Sequence, residues 1–175
     1  MNDEQLLIFE TEVGWTGIIA KGLSVKRLTF GHKTAVEVVE ALDTNARIAE
    51  CASRWLKALQ TMVEVYAKGR RVPFQDISVD WSDLTEFRQE VLQACRSIPY
   101  GQTRTYKELA EQVGRPNSVR SIGTCMAANP IPIIVPCHRV VASDGSLGGY
   151  SAPGGTEMKS LLLQMERETV AAAAK

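Results

Sequence analysis

A chain of 175 residues suffices for one domain or two small ones, so an apolar core can form without disulfides or a structural metal. Its 20 Lys and Arg against 20 Asp and Glu give a formal charge of zero, which removes any argument from bulk charge for nucleic acid, membrane or acidic partners. Any basic surface must be local. The opening MNDEQLLIFETEV lacks the basic start and long apolar run of a signal peptide, and no segment approaches the ~20 apolar residues of a membrane span. These features read as a cytoplasmic protein. Cysteines 51, 95, 125 and 137 and histidines 32 and 138 form no CxxC pair and no HxxxH spacing that would nominate a zinc site, so the thiols are read as reduced.

Residues 6 to 30 are short runs rich in Ile, Val, Phe and Thr, punctuated by Gly14, Gly17 and Gly22, and read as a strand meander. From Asn45 the period changes. Ile48, Cys51, Ala52, Trp55, Leu56, Leu59, Met62, Val63 and Tyr66 recur every three or four residues, predicting an amphipathic helix capped near Asp43 or Thr44 and stopped at Gly69. The irregular, proline-containing RRVPFQDISVDWSDL then puts a domain boundary near residue 80, giving an N-terminal α/β domain over 1–80 and a mainly helical domain over 81–170.

In the second domain, Phe87, Val91, Leu92 and Cys95 lie at helical spacing before PYGQ breaks the pattern. TYKELAEQVG opens with Thr105 and Glu108 in capping-box positions and ends at Gly114. A further helix is predicted from Asn117 or Ser118 to Ala128, stopped by Asn129-Pro130. Two helices joined so tightly resemble a helix-turn-helix. The second carries Val119, Ile122 and Met126 on an apolar stripe, with Arg120, Gly123, Thr124 and Ala127 opposite. A face so small, bearing one long cation, suits either close approach to a nucleic-acid backbone or tight packing on a neighbour.

The segment IPIIVPCHRVVASDG, 131 to 145, delivers Cys137 beside His138. Residues 131–136 read as a short buried strand, and Asp144-Gly145 is a strong hairpin signal. If those two residues are the loop, Ser151 returns opposite His138 and beside Cys137. A free thiol has a pKa of about 8.5, so a nucleophilic Cys137 needs a base or a positive field. Adjacent strand residues point to opposite faces, so His138 would need a kinked backbone or a bridging water. A plain buried thiol in an apolar run is the other reading.

These residues resemble the O(6)-alkylguanine-DNA alkyltransferase family, the suicide DNA-repair methyltransferases. The likeness rests on PCHRVV at 136–141, preceded by VRSIG and ANPIPIIV, on IPYGQTRTYKELA at 98–110, on GGYS at 148–151 and on KSLLLQME at 159–166. It implies a small ribonuclease-H-like N-terminal domain followed by a helix-turn-helix, winged-helix-like domain. It also implies that Cys137 takes the alkyl group, that His138 is its water-bridged base oriented by Glu166, and that Tyr106 protonates the departing guanine. Arg120 would fill the gap left by the extruded nucleotide. Asn129 would join the recognition helix to the reactive segment, and backbone groups of Cys137, Val140 and Ser151 would contact the guanine edge. Gly123, Thr124, Ala127 and Arg139 complete the expected DNA-binding set, and Arg139 also enters a local basic excess with Arg104, Lys107, Arg115 and Arg120 against Glu108 and Glu111. The implied partner is double-stranded DNA containing O(6)-alkylguanine, with O(4)-alkylthymine a second substrate. The protein is expected to act as a monomer, without cofactor, metal or membrane, and in a prokaryote to associate with the nucleoid.

The chain departs from that family in places. Ala152 and Pro153 separate Ser151 from Gly154-Gly155 where Tyr-Ser-Gly-Gly is usual, Cys125 replaces an alanine, and Leu92 replaces a tryptophan. Two rival readings are a cysteine hydrolase using Cys137 and His138, for which no oxyanion-hole motif stands out, and a non-catalytic alkyltransferase-like protein that only binds lesions. The latter resemble the family but carry tryptophan at the position of Cys137.

Overall fold

The computed structural model describes residues 4–43, 46–49 and 52–174. They form a mixed α/β chain that divides between Trp81 and Ser82 into two compact units. In the first unit the meander forms as β1 (Glu4–Thr11), β2 (Gly14–Lys21) and β3 (Ser24–His32), antiparallel neighbours in a sheet ordered β3-β2-β1-β4. Helix α1 (Ala35–Leu42), which the sequence reading missed, packs on β2 and β3 and buries Val38 and Leu42 against Leu6 and Ile19. Close approach is possible because residue 17 of β2 is glycine: a Cβ there would overlap Val38 Cγ1 and lie 2.9 Å from Leu42 Cδ1. Thr34 Oγ1 caps α1 by accepting from the Glu37 N–H at 3.2 Å.

The predicted helix over 45–69 needs correction. Its second part is α2 (Arg54–Ala67), capped by Ser53 Oγ accepting from the Leu56 N–H. Asp43 instead ends α1, with φ of 40°. Arg47–Ile48 is β4, parallel to β1, with Ile48 opposite Leu6 and the Ala49 N–H donating to the Leu6 carbonyl at 2.8 Å. Those sheet bonds occupy backbone groups that a helix would need. Thr44, Asn45 and Cys51 lie outside the described residues. Along α2, Leu56, Leu59, Val63 and Tyr66 are buried, as the period required.

In the second unit α3 (Glu86–Arg96), α4 (Tyr106–Gln112) and α5 (Val119–Ala127) pack on one another. The expected capping box at the start of α4 is present: Thr105 Oγ1 accepts from the Glu108 N–H, and Glu108 Oε2 accepts from the Thr105 N–H at 2.7 Å. Ser118 precedes α5 without a side-chain cap, and Val119 is 37% exposed, so the buried stripe of α5 is Ile122, Cys125 and Met126. Strand β5 (Arg104–Thr105) pairs in parallel with β6 (Val140–Val141), and α6 (Gly155–Ala173) closes the unit.

Two further expectations fail here. Residues 131–136, buried except for the half-buried Pro132, form a turn closed by the Val135 N–H donating to the Ile131 carbonyl at 2.9 Å. Pro130, Pro132 and Pro136 have no N–H for a ladder, and Ile133 takes a left-handed φ of 72° that no strand residue has. At Asp144-Gly145 the chain does reverse, but Ala142 pairs with Ser146 rather than Leu147, one residue out of the two-residue-loop register, and no ladder continues.

Candidate active site

The turn begins just after Asn129, whose side chain holds both of its flanks: Oδ1 accepts from the Ile131 N–H at 3.0 Å and Nδ2 donates to the Val135 carbonyl at 2.8 Å. This brace feeds the chain into a 3₁₀ turn, Cys137–Arg139. On a strand these three side chains would alternate in direction. On the tight turn all three are buried, at 4%, 0% and 5% exposure.

His138 Nε2 lies 2.9 Å from Glu166 Oε1. The same carboxylate accepts from Arg139 Nε and Nη2, at 3.0 and 2.9 Å, and its Oε2 also accepts from the Gly101 N–H at 2.9 Å. Arg139 is fixed further by the Ile98 carbonyl at 2.7 Å and lies over the Tyr100 ring. Burial of Glu166 opposes its ionisation, but the hydrogen bonds and charges of His138 and Arg139 outweigh it and hold the carboxyl down to about 2. Burial pushes the His138 pKa down against the pull of Glu166. An ionised Glu166 can only accept, so a neutral His138 carries its proton on Nε2 and keeps the Nδ1 lone pair as a base.

Burial raises the pKa of the Cys137 thiol, while Asn129, Lys159 and Tyr150 each pull it back. The Tyr150 hydroxyl is buried and couples to Cys137 without a well-formed hydrogen bond to any protein atom. Tyr106, first residue of α4, lies on the same side. Burial and then the neighbouring Cys137 raise its pKa, so the phenol stays protonated at neutral pH and can donate. Gly148 packs against it with φ of 67°, and a Cβ there would sit 3.0 Å from the Tyr106 hydroxyl. Lys159 is fully buried on α6, its Nζ donating to the carbonyls of Val140, at 2.6 Å, and Leu147, and lying 5.8 Å from the Tyr106 ring centroid.

Cys137, His138, Glu166, Tyr106, Asn129 and Val140 are thus brought to one place. Arg139 is not on the surface: its guanidinium is buried against Glu166, so it is no DNA contact, and the basic excess over 101–140 falls from three to two. Ser151 is exposed, because no strand ladder continues beyond Ser146 to bring it back beside Cys137, and Tyr150 faces Cys137 in its place. Away from this cluster, Arg120, Thr124 and Ala127 are exposed on α5, and a Cβ on Gly123 would meet open space. Tyr150 and Lys159 were missed as site residues. The signal for Lys159 was its position: Lys159, Leu162, Leu163 and Glu166 form the buried stripe of α6, an apolar stripe with an unexplained charge at each end.

The family model described as the DNA-binding domain of 6-O-methylguanine DNA methyltransferase matches residues 86–168. A methylated-DNA–protein-cysteine methyltransferase of Mycobacterium leprae is 52% identical over 86 residues, which is 49% of this chain and 51% of that protein. One from Methanosarcina barkeri is 35% identical over 164 residues, 93% of this chain and 97% of that protein. The crystal structure of Mycobacterium tuberculosis OGT in complex with DNA superposes with a TM-score of 0.79 at 32% identity, covering 94% of each chain. The first of these matches spans half of its relative, whereas the other two run through nearly the whole of both chains. On that full-length likeness, the chain belongs to the family of methylated-DNA–protein-cysteine methyltransferases.

Proposed function

We propose that this protein repairs DNA by moving the alkyl group of O(6)-alkylguanine, and of O(4)-alkylthymine, onto its own Cys137, once per chain. The observation that carries this reading is the buried Cys137 preceding a His138 whose Nε2 is held by an ionised Glu166. Alkyl transfer is a displacement at saturated carbon and needs a soft nucleophile and a protonated leaving base. His138 Nδ1 takes the thiol proton through a water, and the sulfur electron pair forms the new S–C bond as the C–O bond breaks. Tyr106 gives its proton to the departing guanine, and its burial beside Cys137 keeps that proton in place until negative charge develops on the base. The thioether is a poor leaving group, so the protein is not regenerated.

The reacting carbon lies inside a duplex, so the base must be flipped out, at a cost of a few kcal/mol that protein contacts offset. We assign this to the second unit, the counterpart of the domain expected over 81–170, with α4 and α5 as a helix-turn-helix of winged-helix type. Arg120, Gly123, Thr124 and Ala127 meet the minor groove, and Arg120 enters the vacated stack. Asn129 ties that helix to the reactive turn, and backbone groups of Val140 and Ser151 meet the guanine edge. The first unit, the counterpart of the domain expected over 1–80, corresponds to the ribonuclease-H-like domain of the family.

Intact-mass measurement after incubation with a duplex carrying O(6)-methylguanine tests the reading. One added methyl per chain, mapped to the Cys137 peptide, is expected. Repair of several equivalents of lesion, or an unmodified Cys137, would overturn it.

A further inference from the structure

Lys159 has no carboxylate partner among the described residues. Its three donors face two carbonyls and a ring, and its side chain is fully buried. An ammonium so placed is costly unless an opposite charge stands near. The other internal charges, Arg139 and Glu166, are paired with each other at 2.9 Å. His138 is held neutral by burial. The groups facing this pocket are therefore Cys95 from α3, Tyr106 from α4, Cys137, His138 and Arg139 from the reactive turn, Tyr150 from the loop and Glu166 from α6. Without an ionised thiol their sum with Lys159 is one positive charge; with Cys137 ionised it is zero.

We propose that Lys159 is the counter-charge of the Cys137 thiolate, a positioning residue that makes the nucleophile's ionisation the event that neutralises the pocket. The inference rests on Cys137 being the alkyl acceptor. The coupling runs both ways: Lys159 pulls the Cys137 pKa down, and Cys137 and Cys95 hold up a Lys159 pKa that burial lowers. The proton balance is closed. The thiol proton passes by way of His138 Nδ1 on to solvent, so the pocket then holds the thiolate beside the Lys159 ammonium, and after transfer the neutral thioether leaves the ammonium without its partner. The same Nζ ties the carbonyl of Val140, beside the reactive turn, to that of Leu147 in the substrate loop, so charge and loop position are set by one group.

The test is the rate of Cys137 alkylation by iodoacetamide between pH 5 and 10, read by mass spectrometry at that residue in wild type, Lys159→Met and Lys159→Arg. Loss of the charge should raise the apparent Cys137 pKa by about one unit or more, slowing alkylation at pH 7 by about tenfold, with rates converging at high pH. Lys159→Arg should keep most of the low-pH rate. An unchanged profile for Lys159→Met, or equal slowing at every pH, overturns the proposal. If Lys159→Met does not fold, ¹³C-lysine NMR of wild type and Cys137→Ser reads the coupling from the other side. Lys159 should hold its proton to higher pH in the wild type, and equal midpoints would refute the pairing. Methyl transfer from the O(6)-methylguanine duplex is followed in parallel: its absence in wild type would end the repair reading while leaving the Lys159–Cys137 coupling measured.

Discussion

His138 and Glu166 stand 28 positions apart in the chain and meet at 2.9 Å with both side chains fully buried. Glu168, two residues further along α6, is exposed and, among the described residues, accepts from Gln164 alone, at 2.8 Å. Glu166→Gln removes the charge that pairs Arg139 and leaves a guanidinium buried without its partner, which should destabilise the fold by roughly 3–5 kcal/mol. Glu168→Gln should stay within about 0.5 kcal/mol of wild type. Urea denaturation of the two variants measures the difference, and a similar loss in both would mean that the carboxylate of Glu166 is not structurally committed.

The same pair sets an acid limit. The Glu166 pKa is depressed from 4.5 to about 2, so its stabilisation is complete above the unfolded value and is lost as pH falls toward about 2. His138 acts in the same direction. Its folded pKa lies below 6.5, so the unfolded chain binds a proton first as pH drops below that value. Stability should therefore fall in two stages on acidification, beginning below pH 6.5 and steepening below pH 4.5, and Glu166→Gln should flatten the second stage. Chemical denaturation at a series of pH values reads this directly.

The reactive residues were legible through the family resemblance, carried by PCHRVV, IPYGQTRTYKELA and KSLLLQME, whereas singly Tyr106 reads as a helix-start aromatic and Glu166 as an exposed glutamate. Arg120 was legible for a different reason, since a helical period of 3.6 separates its face from Ile122 and Met126 without any tertiary knowledge. Arg139 was not. Counting charges along the chain assumes that arginine stays in solvent, and only the fold shows it buried against a residue 27 positions away. The same prior hid Lys159. Helix α1 was hidden by Val36, Val38 and Val39, β-branched residues that read as strand until packing on Gly17 decides otherwise. Ser151 was misplaced because the reading extended a two-residue hairpin past Asp144-Gly145, where the chain reverses without a ladder to carry a register that far.

At Gly148 the left-handed φ of 67° and the Tyr106 hydroxyl, 3.0 Å from where a Cβ would lie, act together. Gly148→Ala should cost about 1 kcal/mol of backbone strain and push the phenol from its place. A displaced proton donor should slow methyl transfer by about tenfold or more while duplex affinity changes little. Single-turnover kinetics beside a binding titration separate the two. Equal loss of both would show that the loop, rather than the phenol, had moved.

Gly17 makes the corresponding demand in the first unit. A methyl there overlaps Val38 and crowds Leu42, both part of the cluster that fastens α1 to the sheet. Gly17→Ala should destabilise by about 1–3 kcal/mol through overpacking. Gly17→Ala combined with Val38→Ala should recover part of that loss, because the second change vacates the space that the first fills. Thermal denaturation of the single and double variants checks the coupling, and strict additivity would place the strain elsewhere.

Arg120 separates two roles that look alike on a surface helix. It is exposed on the same face of α5 as Thr124 and Ala127, beside a Gly123 whose missing side chain leaves open space. A residue that only contacts phosphate should be replaceable by lysine, and its removal should weaken all duplexes alike and lower the salt slope of binding by about one unit. A residue that fills the stack vacated by a flipped base stabilises only the extruded state. Arg120→Ala should then slow repair of duplex DNA far more than reaction with free O(6)-methylguanine, which has no stack to leave. Lysine lacks the planar guanidinium that can stack and hydrogen-bond in that space, so Arg120→Lys should restore the duplex rate only in part. Parallel single-turnover measurements on the two substrates decide the matter. A large duplex defect with a near-normal free-base rate is expected, whereas equal loss on both would mean that Arg120 supports α5 rather than the flipped state.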